Sequence, residues 1–255
     1  MKKRLLVIAV LLMAAFVCIT VLNGMDTELS PSEPSGSGTA ATDTADIKPS
    51  SKGSPYKFYF ERLTPVEKRV YNAIIEKIYD MPERIAVPKI DGKELDNVFS
   101  ALLFDNPDLF FLGRKCAVET RMWLTYFSVD YIVDKADIAD MRERLDRECE
   151  AFEQTLTDPG NQWRTELEIH DHVIDRCEYH DPEGDLIYSS SYGALVDGRA
   201  ACEGYSKAVK LLLDRAGIEN ALISGVSENG EGSGGAHMWN IVNIGGDYYH
   251  LDCTW

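Results

Sequence analysis

Apolar residues recur at every third or fourth position in several stretches of the chain and alternate with polar ones elsewhere. Val66, Val70, Ile74 and Ile78 follow Thr64-Pro65-Val66-Glu67, a capping box with proline at the first helical position, and predict a helix over residues 64–79. Leu95, Val98, Phe99 and Leu102 mark one side of a second helix, residues 93–104, which Asn106-Pro107 stops. Ile138, Met141, Leu145, Cys149, Phe152 and Leu156 keep the same spacing, so residues 134–156 read as a long amphipathic helix with charges on its outer face. Residues 163–179 form a fourth, with Leu167, Val173, Ile174 and Cys177 for burial, and residues 203–216 a fifth, burying Tyr205, Val209, Leu212 and Leu213 and ending at Gly217.

Between the helices the pattern shortens. Residues 109–112 and 116–133 are rich in aromatic and branched side chains and read as two or three strands. Residues 221–225, 237–244 and 247–254 are further strands, the last two joined by Gly245-Gly246. Residues 189–197 are an irregular approach to the fifth helix, and 227–235 (SENGEGSGG) a loop. Asp158-Pro159-Gly160-Asn161 breaks the chain strongly and divides an N-terminal α+β region, 56–157, from a second unit, 161–255.

Composition adds the ends. Residues 1–4 are positively charged and residues 5–22 carry no charge, a length near the lower limit for a membrane-spanning helix. Residues 1–22 therefore read as a signal or anchor, with the rest of the chain outside the membrane. Asn23-Gly24-Met25 makes a poor cleavage site, which favours an uncleaved anchor over secretion. Residues 23–55 are rich in Ser, Thr, Pro, Gly, Asp and Ala, with no aromatic residue and few large aliphatics, and read as a disordered linker. The net charge of −16 argues against nucleic acid, since no basic stripe is present to displace counterions.

Of six cysteines, Cys18 lies in the apolar run; the other five, Cys116, Cys149, Cys177, Cys202 and Cys253, are an odd number that leaves at least one free thiol in a monomer. No CxxC pair occurs, and His170 and His172 are two apart on a helix and do not face one another. Neither a metal nor an organic cofactor is expected.

The chemistry gathers at Cys202, His237 and Asp252. A cysteine at a helix start meets unpaired N–H groups and the positive dipole end, which together with a neighbouring imidazolium lower its pKa and favour the nucleophilic thiolate. The same N–H groups suit the oxyanion of an acyl-transfer intermediate. If Gly245 and Gly246 are the two turn residues, Ile244 faces Asp247, Trp239 faces Asp252 and His237 faces Thr254. His237 and Asp252 then become diagonal neighbours on one face, and a shift of one residue would part them. The aspartate would orient the ring and stabilise its charged form.

The residues Tyr192-Gly193-Ala194-Leu195-Val196-x-Gly198-x-Ala200-x-Cys202-x-Gly204-Tyr205, then His237-x-Trp239-Asn240, then Tyr249-His250-Leu251-Asp252-x-Thr254-Trp255 resemble the core motifs of the bacterial transglutaminase-like superfamily. The resemblance covers residues 163–255 and implies an α+β, papain-like fold, with the cysteine helix packed on an antiparallel sheet bearing the histidine and aspartate. It implies Cys202 as nucleophile, His237 as general base and acid, and Asp252 as orienter, with Tyr192, Gly204 and Trp239 as candidates for the oxyanion site or substrate cleft. Residues 56–156 resemble, more weakly, the part that precedes this core in exported Gram-positive members. Family members usually continue beyond the aspartate with further strands, so the catalytic unit is expected to be C-terminally incomplete.

The expected activity is acyl transfer on protein or peptide amides through a thioester, with hydrolysis ahead of cross-linking. The expected partners are protein or peptide substrates at the cell surface, cell-wall peptide among them, with no nucleic acid and membrane contact through the N-terminal helix only. Two rivals stand beside it: a cell-surface module that binds peptides or glycans without turnover, and a structural Cys202 in a disulfide with Cys177 or Cys253.

Overall fold

The computed structural model describes residues 47–228 and 234–254; the apolar run 5–22, most of the expected linker, the centre of the expected loop and Trp255 lie outside the described residues. The capping box at Thr64 forms as its sequence predicts, with Glu67 bonded back to the Thr64 N–H at 2.7 Å, and starts α1 (Pro65–Ile78). Asp91 and Glu94 make a second box that starts α2 (Gly92–Asp105). These helices pack on a three-stranded antiparallel sheet of β1 (Ile85–Val87), β2 (Leu112–Arg121) and β3 (Leu124–Tyr131), ordered β1-β3-β2. Strand β1 was not predicted, because three residues are too few to display an alternation.

Helices α3 (Ile138–Glu153) and α4 (Gln162–Arg176) follow. Helix α4 stops before residue 179, and Glu178–Tyr179 (β4) pairs in parallel with Arg199–Ala200 (β5). Between these short strands run a 3-10 turn, Leu186–Ser189, and a π-helical turn, Gly193–Asp197. Helix α5 (Cys202–Arg215) then packs on a second antiparallel sheet, β6 (Asn220–Glu228), β7 (Gly234–Ile244) and β8 (Asp247–Leu251), in that order. This is an α+β core of a cysteine-headed helix on an antiparallel sheet. The face of β7 carrying Met238, Asn240, Val242 and Ile244 is buried beneath it.

Three further boundaries differ from the sequence reading. Residues 109–111 form a turn rather than a strand, with Leu109 N–H bonded to the Asn106 carbonyl at 3.1 Å. The loop expected over 227–235 is narrower, since pairing of β6 with β7 continues to Ser227↔Gly235 and Glu228↔Gly234. The cause is that strand pairing is decided by a partner backbone rather than by the small polar side chains that mark a loop. Finally, residues 47–55 are tied to the helices: the Ser50 N–H donates to Asn72 Oδ1 at 3.0 Å and Lys57 Nζ to the Ser50 carbonyl at 2.7 Å. Ser54 is buried, its N–H bonded to Asn106 Oδ1 at 3.2 Å. Backbone hydrogen bonding, which composition does not report, holds this part of the expected linker.

Both halves contribute to one apolar cluster, running from Phe60 through Phe99, Phe111 and Phe127 to Leu213, Val242 and Leu251. Polar bonds cross between them as well. Tyr59 donates its hydroxyl to the Leu222 carbonyl at 2.7 Å and Ser191 to the Pro107 carbonyl at 2.6 Å. The buried Lys210 bonds Asp214 at 3.1 Å and the Tyr56 carbonyl at 3.2 Å. The segment before α5 is thus fastened to the N-terminal helices.

Candidate active site

Cys202 is the first residue of α5, and its cap, Ala201, offers no side-chain acceptor. The first-turn N–H groups therefore face the sulfur's surroundings without a capping side chain. The backbone N–H groups of Glu203 and of Met238, the latter from β7, favour the ionised sulfur. Burial nevertheless pushes the Cys202 thiol above its ordinary 9.0, against these two N–H groups, and the carboxylates of Glu203 and Asp252 push it the same way. For the resting thiol, withdrawal from water and two nearby anions outweigh the backbone dipoles at the helix start.

The helix itself places the strand that carries the histidine. Ser206, one turn into α5, lies with its hydroxyl 2.8 Å from the Cys202 carbonyl and 2.8 Å from the Met238 carbonyl. Asn240, buried on β7, donates from its amide to the Ser206 carbonyl at 3.0 Å. These bonds lock β7 to the first turns of α5 in one register, and so set Met238, and His237 beside it, against the head of the helix. Sequence reasoning gave Ser206 and Asn240 no role; the only signal was that both are polar at positions where the burial pattern called for apolar side chains.

The hairpin adopts the expected pairing, Ile244↔Asp247 through Asn240↔Leu251. Gly245 and Gly246 both have positive φ, +64° and +95°, the left-handed pair that a two-residue turn needs and glycine supplies without strain. Continued past the end of β8, the same register puts Asp252 diagonally across from His237, and Nε2 of His237 lies 2.6 Å from Asp252 Oδ2. Asp252 is itself held by Thr254, whose backbone N–H donates to Oδ1 at 3.0 Å and whose hydroxyl donates at 2.5 Å. Burial works against its ionised form, but the Thr254 and His237 hydrogen bonds outweigh it and hold the carboxyl below its ordinary 3.8.

Among the supporting candidates the structure discriminates. Trp239 stacks on the His237 ring at 5.8 Å between centroids and donates its indole N–H to His250 Nδ1 at 2.8 Å. Its N–H is thus spent on His250, and its part is to wall the imidazole. Gly225, paired across from His237, leaves room for that indole, since a Cβ there would meet the ring at 2.6 Å. Tyr192 is 3% exposed, packed on Phe110 at 5.1 Å with Arg144 over its ring at 5.6 Å. It is a core residue, not a cleft donor. Gly204 is buried with its Cα turned to the protein, where a Cβ would come within 2.6 Å of the Ala200 Cβ, 2.8 Å of the Tyr188 carbonyl and 3.0 Å of the Ser190 carbonyl. It lets the approaching segment lie against α5 and does not serve substrate. Side-chain direction around the helix, invisible in a motif, decides both cases.

All five described cysteines are free thiols, so Cys202 has no disulfide to Cys177 or Cys253. Burial pushes Cys116, Cys149 and Cys253 up to about 12 and Cys177 up to about 11. His172 packs on Phe152 at 4.3 Å and His180 on Tyr188 at 4.6 Å; each is held locally. Among the described residues no helix is long and apolar enough to cross a membrane.

Residues 150–253 match the family model of the transglutaminase-like superfamily. Solved structures align as well: a Cytophaga hutchinsonii protein assigned as a cysteine protease, at 16% identity and a TM-score of 0.36 over 51% of this chain and 52% of that one. A TGase aligns at 14% identity and 0.37, over 67% and 50%. The periplasmic domain of TgpA from Pseudomonas aeruginosa, bound to ethylmercury, aligns at 16% and 0.33, over 53% and 56%. The chain spans about half the length of these structures. No curated protein matches.

Proposed function

With its residues 150–253 belonging to the transglutaminase-like superfamily, we propose that this chain is a cysteine acyl-transfer enzyme acting on protein or peptide amides through Cys202, His237 and Asp252. The observation that carries the reading is the 2.6 Å bond from His237 to Asp252 on a strand that Ser206 and Asn240 fasten to the first turns of the Cys202 helix. Asp252 engages Nε2, which makes Nδ1 the ring nitrogen that exchanges a proton with the thiol. His237 acts as the general base that takes the thiol proton during attack.

The sulfur adds to the amide carbon as its proton passes to His237, and the carbonyl electrons move to oxygen. The backbone N–H groups of Glu203 and Met238, which favour negative charge at the sulfur, are the candidate donors for the resulting oxyanion. His237 returns the proton to the leaving nitrogen, the C–N bond breaks and a thioester remains. Water, or an amine, then gives a proton to His237 and adds to the thioester carbon, and the sulfur leaves and recovers the proton. Hydrolysis is the reaction proposed, on protein or peptide at the outer face of the cell membrane. The uncharged run 5–22 behind a basic end supports that location.

Turnover of an unfolded protein and a cell-wall peptide set by the parent and by Cys202→Ala, with and without a labelled primary amine, tests this. The proposal expects peptide cleavage or deamidation that disappears in Cys202→Ala. Amine incorporation equal to hydrolysis would move the assignment to cross-linking. Peptide binding that survives in Cys202→Ala, with no turnover by the parent, would make the chain a binding module.

A further inference from the structure

Glu203 follows Cys202 directly and carries a carboxylate that opposes the thiolate. Its side chain is mostly buried between the head of α5 and the start of β2, where two cations meet it. Lys207, one turn on along α5, lies at 2.8 Å and Arg114, on β2, at 2.6 Å. Lys207 alone completes the ordinary pair of a helix surface, four residues apart. Arg114 is the second cation, and it comes from the other half of the chain. It also donates to Ser189 Oγ at 3.1 Å, in the 3-10 turn that leads toward α5. Burial opposes the ionised form of Glu203, yet Lys207 and Arg114 hold its carboxyl below the ordinary 4.5.

We propose that Arg114 is a positioning residue for Cys202: by neutralising Glu203 and tying the 3-10 turn to the head of α5, it makes the reactivity of the thiol depend on the N-terminal sheet. This rests on Cys202 being the nucleophile. The other groups that face the sulfur are Asp252 and His237 from the β7–β8 side, Tyr179 from β4, and Glu203 on its own helix. Of these groups only Glu203 is bonded by Arg114, so the effect of a change at Arg114 is separable from those of Asp252, His237 and Tyr179.

The test is the rate of Cys202 alkylation by iodoacetamide across pH, mapped by mass spectrometry, with thermal melts as the control for folding. It uses the parent, Arg114→Met, Arg114→Lys, Glu203→Gln and the Arg114→Met/Glu203→Gln double variant. Arg114→Met is expected to slow alkylation at neutral pH by roughly three- to tenfold and move the midpoint of the profile upward. Arg114→Lys restores most of the rate, and Glu203→Gln alone moves the midpoint downward. In the Glu203→Gln background Arg114→Met changes the rate by less than about twofold, because the charge it answers has gone. A folded Arg114→Met with the parent's profile overturns the proposal, as does an equal slowing in the Glu203→Gln background. Should Arg114→Met fail to fold, an unshifted midpoint in Glu203→Gln overturns it. Alkylation needs no turnover, so an enzyme inactive on every substrate leaves this outcome readable and refutes only the proposed activity.

Discussion

His237 Nε2 and Asp252 Oδ2 lie 2.6 Å apart, although Asp252 stands beyond the last paired residue of its strand. Thr254 makes this stable: its N–H and hydroxyl hold the other carboxylate oxygen, so the aspartate cannot rotate away without losing two bonds. The imidazole is fixed on its other side by the Trp239 ring.

Asp252→Asn should therefore leave the fold in place and disable the imidazole. The amide cannot stabilise an imidazolium, and turnover should fall by about two to four orders of magnitude with little change in melting temperature. Kinetics and a thermal melt on the same preparation check this; a loss below tenfold would show that the ring is oriented without the carboxylate.

Cys202 makes a pH prediction. Its thiol is raised above 9.0 by burial, with the carboxylates of Glu203 and Asp252 adding to the effect, so the isolated thiol ionises only at alkaline pH. In His237→Ala, alkylation of Cys202 should be slow at neutral pH and still climbing above pH 9.0. The parent should react faster than this variant throughout the neutral range, because its imidazole accepts the proton. Equal profiles for the two would remove His237 as the base.

Asp105 is 1% exposed and accepts from the N–H groups of Tyr59 and Phe60 at 2.9 and 2.8 Å. Burial pushes its carboxyl up to about 6, against those two bonds and the charges of Lys210 and Lys57. A folded-state pKa above the unfolded value means that the native protein binds the proton more tightly, so stability is greatest in acid and declines as pH rises through about 6. Between about pH 4.5 and about pH 7.5 this group should remove about 2 kcal/mol of stability, a loss absent from Asp105→Asn. Urea unfolding at the two pH values, parent against variant, measures the difference.

Gly204→Ala tests the packing of the segment before α5. Its methyl group would meet the Ala200 Cβ at 2.6 Å and two backbone carbonyls, which cannot fold aside as a flexible side chain would. A destabilisation of about 1–3 kcal/mol is expected, together with slower alkylation of Cys202, two residues away. Normal stability would mean that the segment shifts without cost.

Much of this architecture is legible locally. The capping box at Thr64, the apolar spacing of Val70, Ile74 and Ile78, and the Gly245-Gly246 turn each carry their own geometry, because helix periodicity and a two-residue turn depend on neighbours in sequence. Even the meeting of His237 with Asp252 is of this kind, a count of residues across a hairpin. What required the folded chain are relations between distant segments. Ser206 and Asn240 matter because β7 lies on α5, and Tyr192 is excluded from the cleft because Phe110 and Arg144 enclose it.

By itself, the sequence determined that a cysteine would head a helix and that a histidine and an aspartate would share one face of a hairpin. The tertiary structure decided the thiol's environment: half-buried, on a helix whose first turns are bonded to β7, beside a carboxylate that Arg114 reaches from the opposite half of the chain. The physical reason is that burial and charge pairing belong to the space around an atom. That space is filled by residues 89 positions apart in sequence, as Arg114 and Glu203 are.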